Sequence, residues 1–408
     1  MGKKTQKTDK IRGRSKTMDI PGRFSQLPEY TFDRLRLLLG NTPPGGEIID
    51  MSVGGPRHAF PKWIMEEIAR SVDQFGKYPP KNGTSGLLQS ISHWYQNRYG
   101  VTIDPDENIS VVNGTREALF NACIALCPEN KKGKKSTVLI PNPFYQVYVG
   151  AALAANVEPV FVDAEKSNNF LPDFERISPQ VLDEVAIVYL CSPSNPQGSV
   201  ASMEYMENLL KLAHEHDFLI FSDECYSEIY RSKPPPSMIE ANSGFEGDLN
   251  RMMIFNSLSK RSNLPGLRTG FMIGGEKLIT HFKKYRSYSD PAVPIPLQAV
   301  AARLLEDESH VIASRERYQA KYELADRIFD GFEGYNPPEA GFFLWLDVED
   351  GEQITRSLWR QRGVKVVPGS YFSFEDRGRN PGKRFIRVAM VAGQEELETG
   401  LASIRELI

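Results

Sequence analysis

The chain has 408 residues, a length that suits two domains better than one. Hydrophobic residues make up 40% of it and charged residues 25%, as in an ordinary globular protein. Its formal net charge of -3 at pH 7 argues against nucleic acid or a membrane as a partner. We therefore expect a protein that acts on small molecules.

The first 18 residues are basic and polar and contain no apolar run. This composition predicts a flexible tail at 1–18, with neither a signal peptide nor a membrane anchor, and hence a cytoplasmic protein. The six histidines and four cysteines show none of the spacings typical of metal ligands, so we expect no metal.

From residue 109 onward, apolar runs of strand length alternate with amphipathic helices. The pattern predicts strands at 109–112, 137–140, 157–162, 186–190, 218–222 and 252–256, and helices at 116–126 and 203–216. This alternation is typical of an α/β fold with a mostly parallel central sheet flanked by helices. Ligands of such sheets bind at the carboxyl ends of the strands.

The pattern changes after about residue 300. A long helical stretch is followed by three strand-like segments, GFFLWLDV, KVVPGS and RFIRVAMV. We interpret 61–300 as a large ligand-binding domain and 301–408 as a smaller α+β domain, which an N-terminal segment at 19–60 joins.

One segment, 256–268, follows a predicted strand and is rich in small polar and basic residues. A lysine on a loop, such as Lys260, is ordinarily a solvated charge. Ser257, Ser259 and Arg268, however, are suited to bind a phosphate, the arginine through two parallel hydrogen bonds. A lysine beside a phosphate site is what an aldehyde cofactor requires, because its amine can bond to the aldehyde and later act as a base.

This segment resembles the cofactor-attachment signature of class I/II aminotransferases, Ser-x-[Ser/Ala]-Lys followed eight residues later by Arg. Further motifs of that family recur in order over about residues 45–395. The resemblance implies a transferase of fold type I that depends on pyridoxal 5′-phosphate (PLP). It also implies that Lys260 attaches the cofactor and serves as the general base.

Gly114, Thr115 and Arg116 join a predicted strand to a predicted helix. Such a turn is often only a tight connection, but its N–H groups also form an anion site at the helix N-terminus. The resemblance implies that it binds the cofactor phosphate, although the family often has Gln where Arg116 stands. It also implies that the ring of Tyr145 stacks on the pyridine face.

Asn195 and Asp223 follow predicted strands. Asn195 lies in a turn rich in Pro and Gly, and a carboxylate such as Asp223 often caps a helix. The resemblance adds that Asn195 and Tyr226 donate hydrogen bonds to the phenolic oxygen of the cofactor. It assigns to Asp223 a salt bridge with the pyridine nitrogen, which makes the ring an electron sink.

The resemblance also implies substrate contacts. Arg387 matches the arginine that binds the α-carboxylate, whereas we expect Arg384 at the surface. Gly54 lies in a loop that closes over that carboxylate, although the family commonly has Glu where Gly55 stands. Tyr78 resembles a tyrosine that reaches the phosphate of the neighbouring subunit, which predicts a homodimer with shared sites.

Glutamate and 2-oxoglutarate are the usual amino donor and product in this family. The stretches NPFYQVY, SDECYSEIY and NSLSKRSNLPGLRTGF resemble bacterial N-succinyldiaminopimelate aminotransferases of lysine biosynthesis. We expect N-succinyl-2-amino-6-oxopimelate as the acceptor, with Arg286 of the other subunit as a hypothetical partner of its distal carboxylate. An exposed arginine at a helix end is the alternative interpretation of Arg286.

Two other functions remain open. The chain could be an aminotransferase for aspartate, alanine or aromatic amino acids, or a PLP-dependent C–S lyase, because a fold does not determine a reaction. A transcription regulator with an aminotransferase-like domain would need a DNA-binding domain. The 18-residue tail is too short for one.

Overall fold

The computed structural model describes residues 22–245, 248–289 and 292–408, so the flexible tail predicted at 1–18 lies outside the described residues. The helices of the described part are α1 (Thr31–Leu39), α2 (Ile64–Arg70), α3 (Ser85–Tyr99), α4 (Thr115–Leu126), α5 (Gln146–Ala154), α6 (Pro179–Leu182), α7 (Met203–His216), α8 (Met238–Phe245), α9 (Leu258–Arg261), α10 (Glu276–Ser289), α11 (Ile295–Glu306), α12 (Ser309–Ile328), α13 (Gly351–Arg362) and α14 (Gln394–Arg405). Along these ranges, no helix combines the length and apolar character needed to cross a bilayer.

The strands of the described part are β1 (Ile49–Asp50), β2 (Ile109–Val112), β3 (Asn130–Lys131), β4 (Lys134–Lys135), β5 (Thr137–Asn142), β6 (Glu158–Asp163), β7 (Val185–Cys191), β8 (Leu219–Asp223), β9 (Met252–Ser257), β10 (Gly270–Gly274), β11 (Phe343–Asp347), β12 (Val364–Lys365), β13 (Val367–Pro368) and β14 (Phe385–Ala389). The six strands predicted between 109 and 256 are therefore all present, with ends that differ by at most two residues.

Helix α7 forms where its sequence predicts it. The Ser202 side chain accepts a hydrogen bond from Tyr205 N at the first turn, and Asp217 adopts the left-handed conformation that ends the helix. Its apolar residues recur at helical spacing and are buried against the sheet; they are Met206, Leu209, Leu210 and Ala213.

The central sheet has seven strands in the order β2-β10-β9-β8-β7-β5-β6. Neighbours from β9 to β6 pair in parallel, whereas β10 is antiparallel to both β2 and β9. This is the α/β fold with a mostly parallel sheet that the sequence predicts. Strand β10 was not predicted, because its five residues begin and end with Gly, which is a poor strand former.

Because β2, β5, β7, β8 and β9 run in the same direction, their carboxyl ends meet at one edge of the sheet. The segments that leave this edge carry Gly114, Tyr145, Asn195, Asp223 and Lys260. The topology alone thus brings together side chains that are up to 146 positions apart in the sequence.

A second core lies in the C-terminal third, where β11, β14 and β13 form an antiparallel sheet. Strand β1 pairs in parallel with β12, with Ile49 opposite Val364, so the N-terminal segment packs with the C-terminal region. The domain boundaries at 60 and 300 remain a prediction.

Candidate active site

A cavity of about 360 Å³ opens at the carboxyl edge of the large sheet. The predicted site residues that line it are Gly54, Thr115, Arg116, Tyr145, Asn195, Asp223, Tyr226, Lys260 and Arg387. A larger cleft of about 790 Å³ lies between α1 and α13 and contains none of the predicted residues. Residues that are distant in sequence therefore converge on the smaller cavity.

Lys260 lies on the short helix α9, where the Ser257 side chain accepts a hydrogen bond from Ser259 N over 3.1 Å. Its Nζ donates to the carbonyl oxygen of Gly54 over 2.6 Å. Burial lowers the pKa of Lys260 to about 8, and the nearby guanidinium of Arg387 acts in the same direction. The amine is therefore available as a nucleophile or base near neutral pH.

Asp223 ends β8 and is only 5% exposed. Tyr148 donates from its hydroxyl to Oδ2 over 2.7 Å, and Cys225 N donates to Oδ1 over 3.3 Å. Burial raises the pKa of Asp223, while these hydrogen bonds and the charge of Lys260 oppose the rise. Asp223 forms no ion pair with the described residues, so a cationic ligand atom would stabilise its charged form.

The turn before α4 requires glycine. Gly114 has φ +82°, and a Cβ there would lie 2.2 Å from Nη2 of Arg268. Arg268 donates to the carbonyl of Asn113 over 3.4 Å and to that of Pro265 over 3.0 Å. A helix N-terminus and an exposed guanidinium thus lie side by side, which is a suitable arrangement for an anion.

Strand β10 brings this turn to Ser257. Gly270 pairs with Val112 on one side and with Ser257 on the other. The two segments predicted to bind phosphate are therefore separated by a single strand. Both Ser257 and Ser259 are buried, at 6% and 8% exposure.

Arg116 and Tyr145 lie together on the cavity wall. Arg116 Nε donates to the Tyr145 hydroxyl over 2.6 Å. Thr115 Oγ1 lies 3.1 Å from Sγ of Cys225, so α4 also contacts the segment that follows Asp223.

Burial raises the pKa of Tyr226 well above its ordinary value, and its hydroxyl therefore stays protonated at neutral pH.

Arg387 lies on β14 and is 5% exposed. It donates to Asn195 Oδ1 over 3.2 Å and to the carbonyl of Ser52 over 2.8 Å. Its guanidinium lies over the rings of Phe343 and Phe372, at 4.3 and 4.1 Å. Burial lowers the pKa of Arg387 to about 10, so it remains a cation at neutral pH.

Arg384 contrasts with Arg387. It is 59% exposed and pairs with Asp347 over 3.0 Å, at the surface as expected. Tyr78 is fully exposed and does not line the cavity. Its expected contact with a cofactor phosphate therefore requires a second subunit and remains a prediction.

The hypothesis for Arg286 is wrong. Its side chain is 3% exposed, donates to the carbonyl of Val111 and lies 3.9 Å from Glu117. Arg286 therefore packs α10 against β2 and α4 of its own chain and is not presented at the surface, where the hypothesis needs it. The alternative of an exposed helix-end arginine is also wrong, because this face of α10 is covered.

Several residues that line the cavity were not predicted. They are Cys191 and Cys225, whose thiols lie near Asp223, and Tyr30 and Phe32 from the N-terminal segment. Tyr148, which donates to Asp223 without lining the cavity, was not predicted either. The signal for Tyr148 was its position three residues after Tyr145, the N-cap residue of α5, and the two rings lie 5.7 Å apart. Tyr30 and Phe32 had no such signal, because only the packing of α1 brings them near.

Three comparisons with known proteins agree with this geometry. The family described as aminotransferase class I and II matches residues 46–404. An LL-diaminopimelate aminotransferase of Natranaerobius thermophilus is 30% identical over 402 residues, which cover 95% of this chain and 99% of that protein. The crystal structure of an aminotransferase from Neisseria meningitidis has 34% identity and a TM-score of 0.90, covering 94% of this chain and 99% of that one.

A probable N-succinyldiaminopimelate aminotransferase of Thermus thermophilus has 26% identity and a TM-score of 0.81, covering 92% of this chain and 98% of that one. The family consists of enzymes that depend on PLP, so the predicted enzyme class and cofactor are confirmed. The chain belongs to the class I and II aminotransferases and has their fold-type I architecture.

Proposed function

We propose that this aminotransferase moves an amino group between glutamate and an acceptor of the diaminopimelate class, which has a carboxylate at each end of its backbone, as a step of lysine biosynthesis. The observation that carries the proposal is the set of three cations on one cavity, Lys260, Arg387 and Arg116. The amine of Lys260 supports the reaction. The guanidinium groups of Arg387 and Arg116 can bind the carboxylates at the two ends of the substrate backbone.

The residues fit PLP. Asp223 is a buried acid without an ion pair among the described residues, which suits a protonated ring nitrogen. The N-terminus of α4 beside Arg268, with Gly114 at the close approach, suits a phosphate. When bound, PLP supplies an aldehyde that bonds to amines and a ring that withdraws electrons from the substrate Cα.

Lys260 and Arg387 have complementary roles in this proposal. Arg387 binds the α-carboxylate and thereby orients the substrate, while the rings of Phe343 and Phe372 exclude water from its two faces. With the cofactor bound, Nζ of Lys260 would take the proton that leaves Cα and deliver it to the cofactor's aldehyde carbon within the same half-reaction, and the second half-reaction would reverse this transfer. Its pKa of about 8 suits both directions of transfer.

Tyr226 and Asn195 support these steps. Tyr226 keeps its proton and is a hydrogen-bond donor towards the cavity. Oδ1 of Asn195 accepts from Arg387, so the asparagine aligns the guanidinium while its amide remains a possible donor to the cofactor.

The side chain of Arg116 is our candidate for the distal carboxylate, in place of Arg286, while its backbone N–H stays part of the turn expected to bind the cofactor phosphate. Its guanidinium is aligned by the hydroxyl of Tyr145, and its side chain lines the same cavity as Arg387. A site that binds both carboxylates would favour dicarboxylic over monocarboxylic substrates.

The substrate class is supported by similarity. One relative is named an LL-diaminopimelate aminotransferase, and one structural neighbour a probable N-succinyldiaminopimelate aminotransferase. The free and the N-succinylated compounds share a seven-carbon backbone with a carboxylate at each end. We retain the N-succinylated compound as our expected substrate and include the free one in the test.

An amino-acceptor screen tests the proposal. The cofactor-loaded enzyme is mixed with glutamate and N-succinyl-2-amino-6-oxopimelate, and in parallel with LL-2,6-diaminopimelate and 2-oxoglutarate. We expect rapid turnover in one of these reactions. A preference for aromatic oxo acids would contradict the substrate class, and release of pyruvate and ammonia from cysteine would instead support the lyase.

A homodimer completes the proposal. Tyr78 and several neighbouring apolar side chains are exposed, namely Phe60, Met65, Val72 and Phe75. A second copy of the chain that covers this surface would bring its own cavity to the Tyr78 of the first copy. Analytical ultracentrifugation should then give twice the chain mass, and a monomeric holoenzyme would contradict this assignment.

A further inference from the structure

A second buried lysine lies outside the cavity. Lys321 on α12 is 2% exposed, and its Nζ lies 2.8 Å from Nε2 of His58 and donates to the carbonyl of Met390 over 3.0 Å. The ring of His58 packs on Tyr318, with centroids 4.6 Å apart. None of these four residues lines the proposed active site.

The chemistry of the groups sets the direction of the hydrogen bonds. A lysine ammonium can only donate, so Nε2 of His58 accepts and the ring proton lies on Nδ1. Nδ1 lies 3.5 Å from Oγ of Ser314, which in turn receives a hydrogen bond from Nδ2 of Asn263 over 3.1 Å. Burial lowers the pKa of His58 to about 4, so the ring stays neutral as this pattern requires.

This chain of hydrogen bonds joins three segments that carry site groups. His58 lies four residues after Gly54, whose carbonyl accepts from Lys260. Met390 lies three residues after Arg387, and Asn263 three residues after Lys260. Asn263 also has φ +54°, in the left-handed region that Asn adopts more readily than most other residues with a Cβ.

Stability alone does not explain the arrangement. Arg57 and Arg317 add positive charge near Lys321, and Glu396 is the acid that opposes them. Burial lowers the pKa of Lys321 to about 8, which means that the protein bears a desolvation cost here. An apolar side chain of similar length would avoid that cost but would lose the bonds to His58 and Met390.

We propose that His58 and Lys321 are positioning residues, which through Ser314 and Asn263 hold the turn after Lys260 in register with the Gly54 loop and with Arg387. The proposal rests on the role proposed above for Lys260. His58 acts mainly on the placement of the Lys260 amine, and therefore on kcat. Lys321 also holds the carbonyl that follows Arg387, and therefore acts on KM as well.

The test compares four variants of the full-length holoenzyme. His58→Phe removes both nitrogens but keeps a ring against Tyr318, and His58→Gln keeps one acceptor and one donor. Ser314→Ala breaks the chain without changing His58. Lys283→Met is the matched control, because Lys283 also donates to a backbone carbonyl, that of Asp106 over 2.6 Å, but at a distant place.

Hydrogen–deuterium exchange and steady-state kinetics are measured for each. In His58→Phe we expect faster exchange in peptides covering 50–60 and 257–268, and a fall in kcat of about tenfold with KM changed less than about threefold. His58→Gln should recover most of that loss. Lys283→Met should match the wild type in both peptides and in kcat.

Two outcomes would overturn the proposal. One is exchange in 50–60 and 257–268 that equals the control, and the other is a fall in kcat of less than about fivefold in His58→Phe. If that variant does not fold, Ser314→Ala is judged by the same limits. Exchange does not depend on catalysis, so a wrong role for Lys260, revealed by an active Lys260→Ala, is distinguishable from a wrong role for His58.

Discussion

The hydroxyl of Tyr148 donates to Oδ2 of Asp223 over 2.7 Å, and both side chains are buried. Tyr148 in turn stacks on Tyr189, with ring centroids 4.3 Å apart and planes inclined by 16°. The side chain of Tyr148, which lies on α5, therefore has little freedom to rotate. It stabilises the ionised form of an acid whose burial favours the neutral form.

Tyr148→Phe should weaken the charged state of Asp223. A hydrogen bond to a charged group contributes about 1.5–3 kcal/mol, so we expect a cofactor dissociation constant about 10- to 100-fold higher. Absorbance titration with PLP measures this dissociation constant. Tyr189→Phe is the control, since Tyr189 is equally buried but donates to the carbonyl of Leu119. Equal effects of the two substitutions would contradict the role of Tyr148.

Arg387→Gln should remove the α-carboxylate contact. Loss of one partner from a buried, hydrogen-bonded charge pair costs about 2–5 kcal/mol, which we expect in kcat/KM for the amino acid. Arg384 is an exposed arginine just before the strand that carries Arg387. Arg384→Gln should leave kcat/KM within about threefold. A similar loss in both variants would remove the assignment of Arg387.

Arg116→Gln should change specificity. We expect kcat/KM for a dicarboxylic substrate to fall by about 10- to 100-fold, while that for alanine changes little, because a charge-assisted hydrogen bond is lost only to the former. The pair of substrates serves as its own control. An equal loss for both would mean that Arg116 contacts the cofactor and not the distal carboxylate.

Glu224 should make stability depend on pH. It is 1% exposed, and its Oε1 accepts from Ser222 Oγ and Met238 N, while Oε2 has no partner among the described residues. Burial raises its pKa from 4.5 to about 7. The folded protein therefore holds this proton more tightly than the unfolded chain, and stability is lost as pH rises from about 4.5 through about 7.

Glu224→Gln removes the ionisation. The variant should melt at least about 2 °C above the wild type at pH 8 and close to it at pH 5, as scanning calorimetry can measure. Glu175→Gln, at an exposed position, should show no such difference. A stabilisation that is equal at both pH values would refute the explanation by ionisation.

Arg286→Met should affect stability and not specificity. Breaking a buried ionic contact without replacing it costs about 3 kcal/mol, so denaturant unfolding should show a clear loss. The preference for dicarboxylic over monocarboxylic substrates should remain. Arg176→Met, at a side chain that is 87% exposed, is the control for stability. A changed preference would restore Arg286 to the substrate site.

Much of the fold and of the cavity could be predicted locally. Strands β2, β5, β7, β8 and β9 are largely apolar runs, and polar residues follow them where the strands of a parallel sheet end. Strand β10 could not be predicted, because Gly270 and Gly274 give no strand signal and only its place between β2 and β9 makes it extend. The prediction for Arg286 was wrong for a related reason, because an arginine near a helix end is buried only where another element covers it.

Sequence alone determined the order of the motifs, the mostly parallel sheet and the edge at which Lys260 and Asp223 meet, because periodicity and strand direction are local properties. The tertiary structure decided which side chains orient those two groups. Tyr148, Ser52 and the pair of His58 and Lys321 act over contacts of about 3 Å between segments far apart in the chain. Such contacts depend on how helices pack and rotate against the sheet, which no spacing of residues along the sequence specifies.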